Sequence, residues 1–329
     1  MARVTKLVAK LALVLMALLL LCQPAQLAAQ DFPNRTITLV VPYPPGGGVD
    51  VLARVIAEKL SGVIGQQVIV ENRQGSSGLL GTRSVIKSAP DGYTLMLAHT
   101  GSISINPTLY ANANFDPRKD FTAIGLIASM PVALLAHPSF PAKNLTELIA
   151  LAKQQAGKLN IGTTAVGTGG YMTAELFKSI TGVQAQIVPY KGTAQLMNDL
   201  LGNHVSVAFG VLPPALGNLS AGSLRAIAMI DRRRFSLLPD VPTSAESGLP
   251  GFESSLHYGV IGPAGIPRPI VEKLNAALRS LVNTDDVKTR IHNEGGDPLV
   301  SSPEEYASDI DLEERKWGAL IKKLNLRAD

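Results

Sequence analysis

Three consecutive glycines, Gly46, Gly47 and Gly48, follow the segment Pro42-Tyr43-Pro44-Pro45. The apolar run before them predicts a buried strand, and the apolar spacing after them predicts a helix. A turn without side chains at a helix N-terminus leaves backbone N–H groups free, and the helix dipole adds partial positive charge there. This chemistry suits an anion such as a carboxylate. The alternative is a tight turn between strand and helix that binds no ligand.

Two further turns have the same character. Thr100-Gly101-Ser102 follows a predicted strand at 93–98, and the stretch from Thr163 to Gly170 follows one at 159–163. Ligands of open α/β sheets collect at the carboxyl ends of strands, where hydroxyl and amide groups could hold a carboxylate. Each cluster alone is ordinary loop composition. Three of them at predicted strand ends favour a binding site.

Several side chains near these turns have two interpretations. Asp50 either caps free N–H groups in the first turn of its helix or accepts a hydrogen bond from a ligand. Tyr43 and Tyr171 lie close to glycines, where an aromatic residue offers an apolar wall and a hydroxyl. Lys191 either neutralises a second carboxylate or is a solvated turn residue.

The sequence carries no signature of an enzyme, a metal site or a cofactor site. Gly75-Ser76-Ser77-Gly78 is one residue too short for a G-x-S-x-G nucleophile elbow. No phosphate loop follows the glycines at 46–48, and no G-x-G-x-x-G follows a strand. The five histidines contain no H-x-x-x-H pair. We therefore expect no catalytic residue, no metal and no cofactor.

The N-terminus predicts export. Three basic residues precede an apolar stretch at 11–21, and small residues follow up to Ala29. This order is typical of a cleavable signal peptide, here 1–29, and the apolar stretch is shorter than the about 20 residues of a membrane span. Cys22 raises a lipoprotein alternative, which Leu21 before it disfavours. The sequence thus predicts a periplasmic protein whose mature part has no cysteine.

Charge and size narrow the class of protein further. The signal peptide holds Arg3, Lys6 and Lys10, so its removal takes three basic residues from a chain with a formal net charge of +4. The remainder is nearly neutral and poor in aromatic residues, which excludes a nucleic-acid partner. It has no second long apolar run, so we expect a soluble protein. A mature chain of about 300 residues exceeds the usual size of one core, which predicts two domains.

Apolar strands alternate with amphipathic helices along the chain, which predicts an α/β fold whose sheets are mostly parallel and flanked by helices. We predict strands at 36–41, 67–71, 93–98, 132–136, 159–163, 186–190, 205–210, 223–229 and 257–262. We predict helices at 49–61, 79–88, 144–155, 170–181, 193–201, 267–282, 285–293 and 303–324.

Two segments look like crossings between domains. The first joins two apolar segments through Met130 and Pro131, and the second is 253–258, after a stretch rich in proline and glycine. These crossings predict an inserted domain at 131–254 and a discontinuous domain made of 31–130 plus 255–329. Two crossings would permit hinge closure around a ligand.

The whole pattern closely resembles one family, the substrate-binding receptors of tripartite tricarboxylate transporters, also called Bug receptors. The resemblance covers nearly all of the mature chain in order. It is carried by the segments VVPYPPGGGVD, ENRQGSSGLLG, PDGYTLMLAHTGS, IGTTAVGTGGYMTAELFK, VPYKGTAQLMNDLLG, and PDVPTSAESGLPGFE with the later GPAGIP.

The resemblance implies a type II periplasmic binding protein of the Venus flytrap kind, which closes around a carboxylate. It implies that one carboxylate lies against the turns matching Tyr43–Gly48 and His99–Ser102, and that the inserted domain adds turns that vary with the ligand. The expected ligand contacts are Tyr43, Pro44, Gly46, Gly47, Gly48, Asp50, His99, Thr100, Gly101, Ser102, Thr163, Thr164, Gly167, Thr168, Gly169, Tyr171, Tyr190, Gly192, Gly210 and Val211.

Two positions depart from the family pattern. Gly210 stands where the family often has an aspartate that can meet an amino group, and Tyr171 stands where it often has histidine. Both departures favour an organic acid, either a di- or tricarboxylate or an aromatic acid, over aspartate or glutamate.

We therefore expect a monomeric periplasmic receptor that captures a small carboxylate for a membrane transporter. A receptor that feeds a membrane sensor kinase is the alternative, and a carboxylate-processing enzyme is the third class.

Overall fold

The computed structural model describes residues 32–46, 48–190 and 192–328. The predicted signal peptide at 1–29 and two predicted turn residues, Gly47 and Lys191, lie outside the described residues.

The described strands follow one another along a continuous hydrogen-bonded path, with the order β2-β1-β3-β9-β4-β7-β5-β6. Strands β10 and β8 both pair with β4 off this path. The strands are β1 (Ile37–Val41), β2 (Val68–Asn72), β3 (Thr94–His99), β4 (Phe121–Ala136), β5 (Leu159–Thr164), β6 (Ala185–Tyr190), β7 (Val207–Val211), β8 (Arg225–Met229), β9 (Ser255–Pro263) and β10 (Asp297–Pro298).

Helices cover the faces of this path. They are α1 (Gly48–Ile64), α2 (Leu79–Ile86), α3 (Asn106–Leu109), α4 (Leu145–Gln154), α5 (Gly169–Thr181), α6 (Thr193–Leu201), α7 (Leu216–Ser220), α8 (Arg268–Val282), α9 (Asp285–Asn293) and α10 (Pro303–Leu324). The predicted helices are confirmed within a few residues, whereas α3, α7 and the short strand β10 were not predicted.

Strand β4 belongs to two sheets. Its residues from Phe121 to Pro131 pair with β9, and those from Val132 to Ala136 pair with β7 and β8. The first sheet therefore contains β2, β1, β3, β9, β10 and the beginning of β4, and the second contains β6, β5, β7, β8 and the end of β4. The prediction found only 132–136 because Pro131 looked like a strand boundary.

The α/β class is confirmed, but the expectation of mostly parallel sheets needs correction. The parallel pairs lie toward the two ends of the strand order. Strand β1 pairs in parallel with β2 and β3, and β5 pairs in parallel with β6 and β7. Strand β9 pairs antiparallel with β3 and β4, and β4 pairs antiparallel with β7, β8 and β10. The reason is the path of the chain, which leaves the first sheet along β4 and returns in the opposite direction along β9.

Each sheet has apolar cores on both faces. In the first sheet, one face packs against α1, α8 and α9, and the other packs against α10 through Tyr306 and Ile310. Helix α8 shows why the sequence folds this way, since its buried Ile270, Leu274 and Leu278 recur at helical spacing. Helix α10 begins with a capping box between Ser302 and Glu305. Within the described residues, we find no helix that is long and apolar enough to cross a membrane.

Candidate functional site

The glycine turn after β1 is held in place by Asp50. The Gly46 N–H donates to Asp50 Oδ2 at 2.9 Å, and Asn72 Nδ2 at the end of β2 donates to Oδ1 at 2.9 Å. Arg54 donates to both carboxylate oxygens, at 2.9 and 3.0 Å. Gly46 has φ +83°, a left-handed conformation that favours glycine. Asp50 therefore ties Gly46 to the first turn of α1, and Pro44, Gly46 and Gly48 are exposed.

Asp50 does not match the expectation of a ligand contact. Its side chain is only 3% exposed, and both oxygens are occupied by Gly46, Arg54 and Asn72. Burial alone would raise the pKa of Asp50, but the hydrogen bonds from Arg54, Gly46 and Asn72 outweigh burial and hold the pKa below its usual value. Asp50 braces the turn, as the capping interpretation predicted.

The turn after β3 is also locked by its own side chains. The Ser102 hydroxyl donates to the His99 carbonyl at 2.9 Å, and the Thr100 hydroxyl accepts from the His257 N–H at 2.9 Å. Both hydroxyls lie on buried residues. The Ser102 hydroxyl is thus used by the backbone of β3, whereas the Thr100 hydroxyl only accepts from β9, and the expectation that these residues contact a ligand stays a prediction.

Three aromatic rings form a stack at this turn. The ring of His99 lies 5.0 Å from that of Tyr43, with an angle of 21° between the planes, and 5.4 Å from that of Tyr258. Burial raises the pKa of the Tyr43 and Tyr258 hydroxyls, which therefore stay protonated at neutral pH. The stack supplies neutral hydrogen-bond donors on an apolar wall.

A fourth turn, which the sequence did not suggest as part of the site, lies beside Tyr43. A Cβ atom on Gly78 would lie 3.2 Å from the Tyr43 hydroxyl oxygen. Ser77, with φ 53°, accepts a hydrogen bond from the Tyr110 hydroxyl at 2.7 Å. The sequence signal was present in Gly75-Ser76-Ser77-Gly78, which we interpreted as too short for a nucleophile elbow and as part of a family motif, but not as part of the site.

The turn after β5 faces these residues from the second sheet. A Cβ atom on Gly167 would lie 2.5 Å from Leu109 Cδ2 and 3.8 Å from the Tyr110 hydroxyl oxygen. A Cβ atom on Gly169 would lie 2.5 Å from Leu256 Cδ2, and Leu256 shares a face of β9 with Tyr258. Hydrogen bonding, ring packing, close approach to a glycine and nearness in sequence thus link nine residues in a closed series: Tyr43, Gly78, Ser77, Tyr110, Gly167, Gly169, Leu256, Tyr258 and His99. We call this arrangement the contact ring.

The hydroxyls of the β5 turn are used within the turn. Thr168 is the N-cap of α5 and accepts from the Tyr171 N–H, while Thr164 donates to the Thr168 hydroxyl at 2.9 Å. Thr163 is fully buried and donates to the Thr164 carbonyl. Each hydroxyl therefore donates within the turn, and the expected role of these residues as ligand contacts stays a prediction.

Two tyrosines are placed differently from the expectation. The Tyr190 hydroxyl donates to Asp199 at 2.8 Å, and burial together with this bond raises the pKa of Tyr190 to about 12. The Tyr171 hydroxyl donates to Glu175 at 3.3 Å, and its ring packs against the cluster that contains Trp317. Both hydroxyls have a protein acceptor, so neither is free for a ligand in this structure.

The remaining predicted positions border open space or the core. A Cβ atom on Gly210 or on Gly192 would meet no atom within 4 Å. Gly170, in the first turn of α5, lies next to Gly210 in space, and a Cβ atom on Gly170 would lie 2.5 Å from the Phe209 carbonyl oxygen. Val211 packs against the core of the first sheet. Gly210 therefore lies beside the N-terminus of α5 with room for a side chain.

A cavity of about 610 Å³ is lined by His257, between Leu256 and Tyr258 on β9, but by no residue of the contact ring. It is bordered by the crossing segments and α10, and its charged lining includes Asp231, Arg233, His257 and Asp309. The predicted turn residues do not line it. Within the described part of the chain, no group of three or more His, Cys, Asp or Glu residues could hold a metal ion.

Three solved structures are similar to this chain over most of its length. Rpa4515 of R. palustris, solved with adipate, is 35% identical, with a TM-score of 0.80 over 90% of this chain and 99% of that one. MatC of Rhodopseudomonas palustris, solved with malate, is 34% identical, with a TM-score of 0.76 over 88% and 100%. The periplasmic binding protein BugD is 32% identical, with a TM-score of 0.76 over 91% and 100%.

These likenesses and the two linked sheets define a periplasmic solute-binding protein, a receptor rather than an enzyme. The model of the tripartite tricarboxylate transporter family receptor matches residues 52–326. The chain belongs to that family, as the sequence motifs predicted.

Proposed function

We propose that this receptor captures a small organic carboxylate inside the contact ring. The observation that carries the proposal is the ring itself, in which turns from both sheets come together beside the rings of Tyr43, His99 and Tyr258. Neutral donors such as tyrosine hydroxyls bind an anion without the desolvation cost of a buried cation. The adipate of Rpa4515 and the malate of MatC support this class of ligand.

The division of the chain supports a mechanism of closure. We take the two sheets as cores of two domains, 31–130 plus 255–329 and 131–254, joined by β4 and by the segment that leads into β9. Gly167 and Gly169 already lie close to Leu109 and Leu256 in this structure, and a ligand that contacts both domains would favour the state in which they do. Small-angle scattering with and without adipate tests this motion, because a bound ligand should reduce the radius of gyration.

A screen of thermal stability with acids of different chemistry tests the ligand class. Adipate, L-malate, citrate and benzoate form one set, and L-aspartate and L-glutamate form the control set. We expect at least one member of the first set to raise Tm in a concentration-dependent way. If none does so, while an amino acid does, the proposed class of ligand is wrong.

We further propose that the receptor acts as a monomer that delivers its ligand to the membrane subunits of a tripartite tricarboxylate-type transporter. A sensor kinase is the alternative partner. Uptake of radiolabelled adipate by cells with and without the receptor separates the two roles, because a sensing receptor would change gene expression and leave uptake by existing transporters unaltered.

A further inference from the structure

Helix α5 has two apolar faces. Ala174 and Phe177 belong to the core of its own sheet. Met172 and the half-buried Leu176 belong to a second apolar cluster, which also contains Trp317 of α10. Met172 and Leu176 are four positions apart and therefore lie on the same side of the helix. One apolar face is enough to hold a helix on its own sheet, so the second face needs a partner elsewhere.

Helix α10, which packs on the first sheet, supplies this partner. The second cluster contains four of its residues at helical spacing, namely Trp317, Leu320, Ile321 and Leu324. The ring of Trp317 is oriented by α10 itself, because its Nε1–H donates to Glu313 Oε2 one turn earlier at 2.7 Å. The two helices therefore join the two halves of the chain.

A hydrogen bond lies beside this apolar contact. Lys323 Nζ, near the end of α10, donates to Ser179 Oγ of α5 at 2.9 Å. Ser179 follows Met172 by about two helical turns and lies on the same side of α5. The name α5–α10 interface is used below for the contact between two sets of residues: Met172, Leu176 and Ser179 on α5, and Trp317, Leu320, Ile321, Lys323 and Leu324 on α10.

The centre of this interface is closed to a ligand. Met172 and Trp317 are each 0% exposed, so their side chains are surrounded by protein alone. Separation of the two sheets would bring apolar side chains of both helices into water, which is unfavourable. The interface therefore stabilises the joined arrangement by an amount that does not depend on the chemistry of the ligand.

We propose that Met172 is a positioning residue, which raises the population of the closed state through the α5–α10 interface and so changes the affinity for every ligand by one common factor. This role rests on the proposed function, in which the two sheets close around a carboxylate. When only the closed state completes the site, the apparent Kd equals the intrinsic Kd divided by the closed fraction. Residues that touch the ligand then select among acids, and the α5–α10 interface adjusts the strength of binding.

Met172→Ala and Met229→Ala form a matched pair of variants. Both remove the same atoms from positions that are 0% exposed, but Met229 belongs to a core cluster of the second sheet alone. We expect both variants to lower Tm. In titration calorimetry, only Met172→Ala should raise Kd, by about tenfold for adipate and by the same factor for L-malate. Unequal factors for the two acids, or an equal rise in Met229→Ala, would overturn the proposal.

A second pair of variants tests the interface without changing a core. Lys323→Ala removes the hydrogen bond to Ser179, and Lys322→Ala removes the same charge from the neighbouring exposed position. We expect Lys323→Ala to raise Kd by about two- to threefold for both acids, and Lys322→Ala to leave it unchanged. Equal Kd values for the two lysine variants would contradict the role given to the interface.

Small-angle scattering without ligand separates this inference from the proposed function. Met172→Ala should have a larger radius of gyration than both the wild-type chain and Met229→Ala, because the open state gains population. This difference is expected even if the wild-type chain binds none of the acids of the screen, in which case only the proposed function fails. An equal radius of gyration for Met172→Ala and the wild-type chain would overturn the role of Met172.

Discussion

Gly167 lies directly on Leu109, since a Cβ atom on Gly167 would be 2.5 Å from Leu109 Cδ2. Gly167 follows β5 of the second sheet, and Leu109 ends α3, which packs with the first sheet through α10. The backbone of one half therefore touches a side chain of the other half, and any side chain at position 167 would hold them apart.

We expect Gly167→Ala to weaken adipate binding by about tenfold or more, because the added methyl group opposes the contact with Leu109. The same variant also strains the backbone, since Gly167 has φ +83°. Gly182→Ala is the matched control, with φ +68° and no atom within 4 Å of the added Cβ. Both variants should lower the apo Tm, but only Gly167→Ala should raise Kd in titration calorimetry. A similar Kd for the two variants would show that the contact has no role in binding.

Asp50→Asn should destabilise the protein at pH 7 by about 1.5–3 kcal/mol, because the charged acceptor for Gly46 and Arg54 is lost. The folded pKa of Asp50 lies below its unfolded value, so its contribution is present above the unfolded pKa of 3.8 and disappears as pH falls through the folded pKa. Urea unfolding at pH 7 and pH 3 measures the difference. Asp91→Asn, which removes an exposed pair with Arg35, should cost at most about 1 kcal/mol. If Asp50→Asn lowers the free energy of unfolding by as much at pH 3 as at pH 7, the role given to the Asp50 carboxylate is wrong.

His99 should make the wild-type protein sensitive to mild acid. The folded pKa of about 4 lies below the ordinary 6.5, so the unfolded chain binds a proton first and stability falls as pH decreases from about 6.5 toward 4. His99→Asn should therefore lose less stability than wild type between pH 7 and pH 5, as measured by Tm.

The contribution of His257 to stability should change with pH in the opposite direction to that of His99. Burial would lower the pKa of His257, but the 2.8 Å bond to Asp309 and the nearby charges raise it. Its stabilising contribution is therefore present below the unfolded pKa of 6.5 and is lost as pH rises through the folded value. Compared with wild type, His257→Asn should be most destabilised near pH 5.5 and least near pH 8.5. The same trend in the two histidine variants would contradict the opposite shifts.

Gly210→Asp should change the ligand preference. The site has room for the side chain, and a carboxylate there would attract an ammonium group and repel an acid. We expect about tenfold weaker adipate binding and a gain of measurable affinity for L-aspartate. Gly210→Asn introduces a side chain of the same shape as aspartate but without its charge. It should change neither the affinity for adipate nor that for L-aspartate by more than about threefold. Equal effects of Asp and Asn would mean that size, not charge, acts at this position.

The sequence was sufficient to predict the strands and helices that flank the turns. The apolar run before the glycines predicted β1, and the spacing of apolar residues predicted α1 and α8, because local periodicity reflects burial. The pairing of Thr100 with His257 could not be predicted in this way, since the two residues are 157 positions apart. The roles of Ser77, Tyr110 and Tyr258 were missed for the same reason.

The hydroxyl-bearing residues show a second limit. Composition placed Ser102, Thr164 and Thr168 at the correct strand ends, but it could not say whether a hydroxyl faces a ligand or the backbone. In the structure each hydroxyl satisfies a group of its own turn, because strand ends leave carbonyl and N–H groups without ladder partners.

The sharing of β4 between two sheets has a consequence for the order of assembly. The strands that pair with the end of β4 all lie before residue 230, so the second sheet can form from one uninterrupted stretch of chain. The first sheet keeps a gap between β3 and β4 until β9 arrives from residue 255 onward. Because β9 carries Leu256 and Tyr258, the contact ring is completed by the last long strand of the chain. A chain that ends before β9 would lack both residues and the strand that joins β3 to β4.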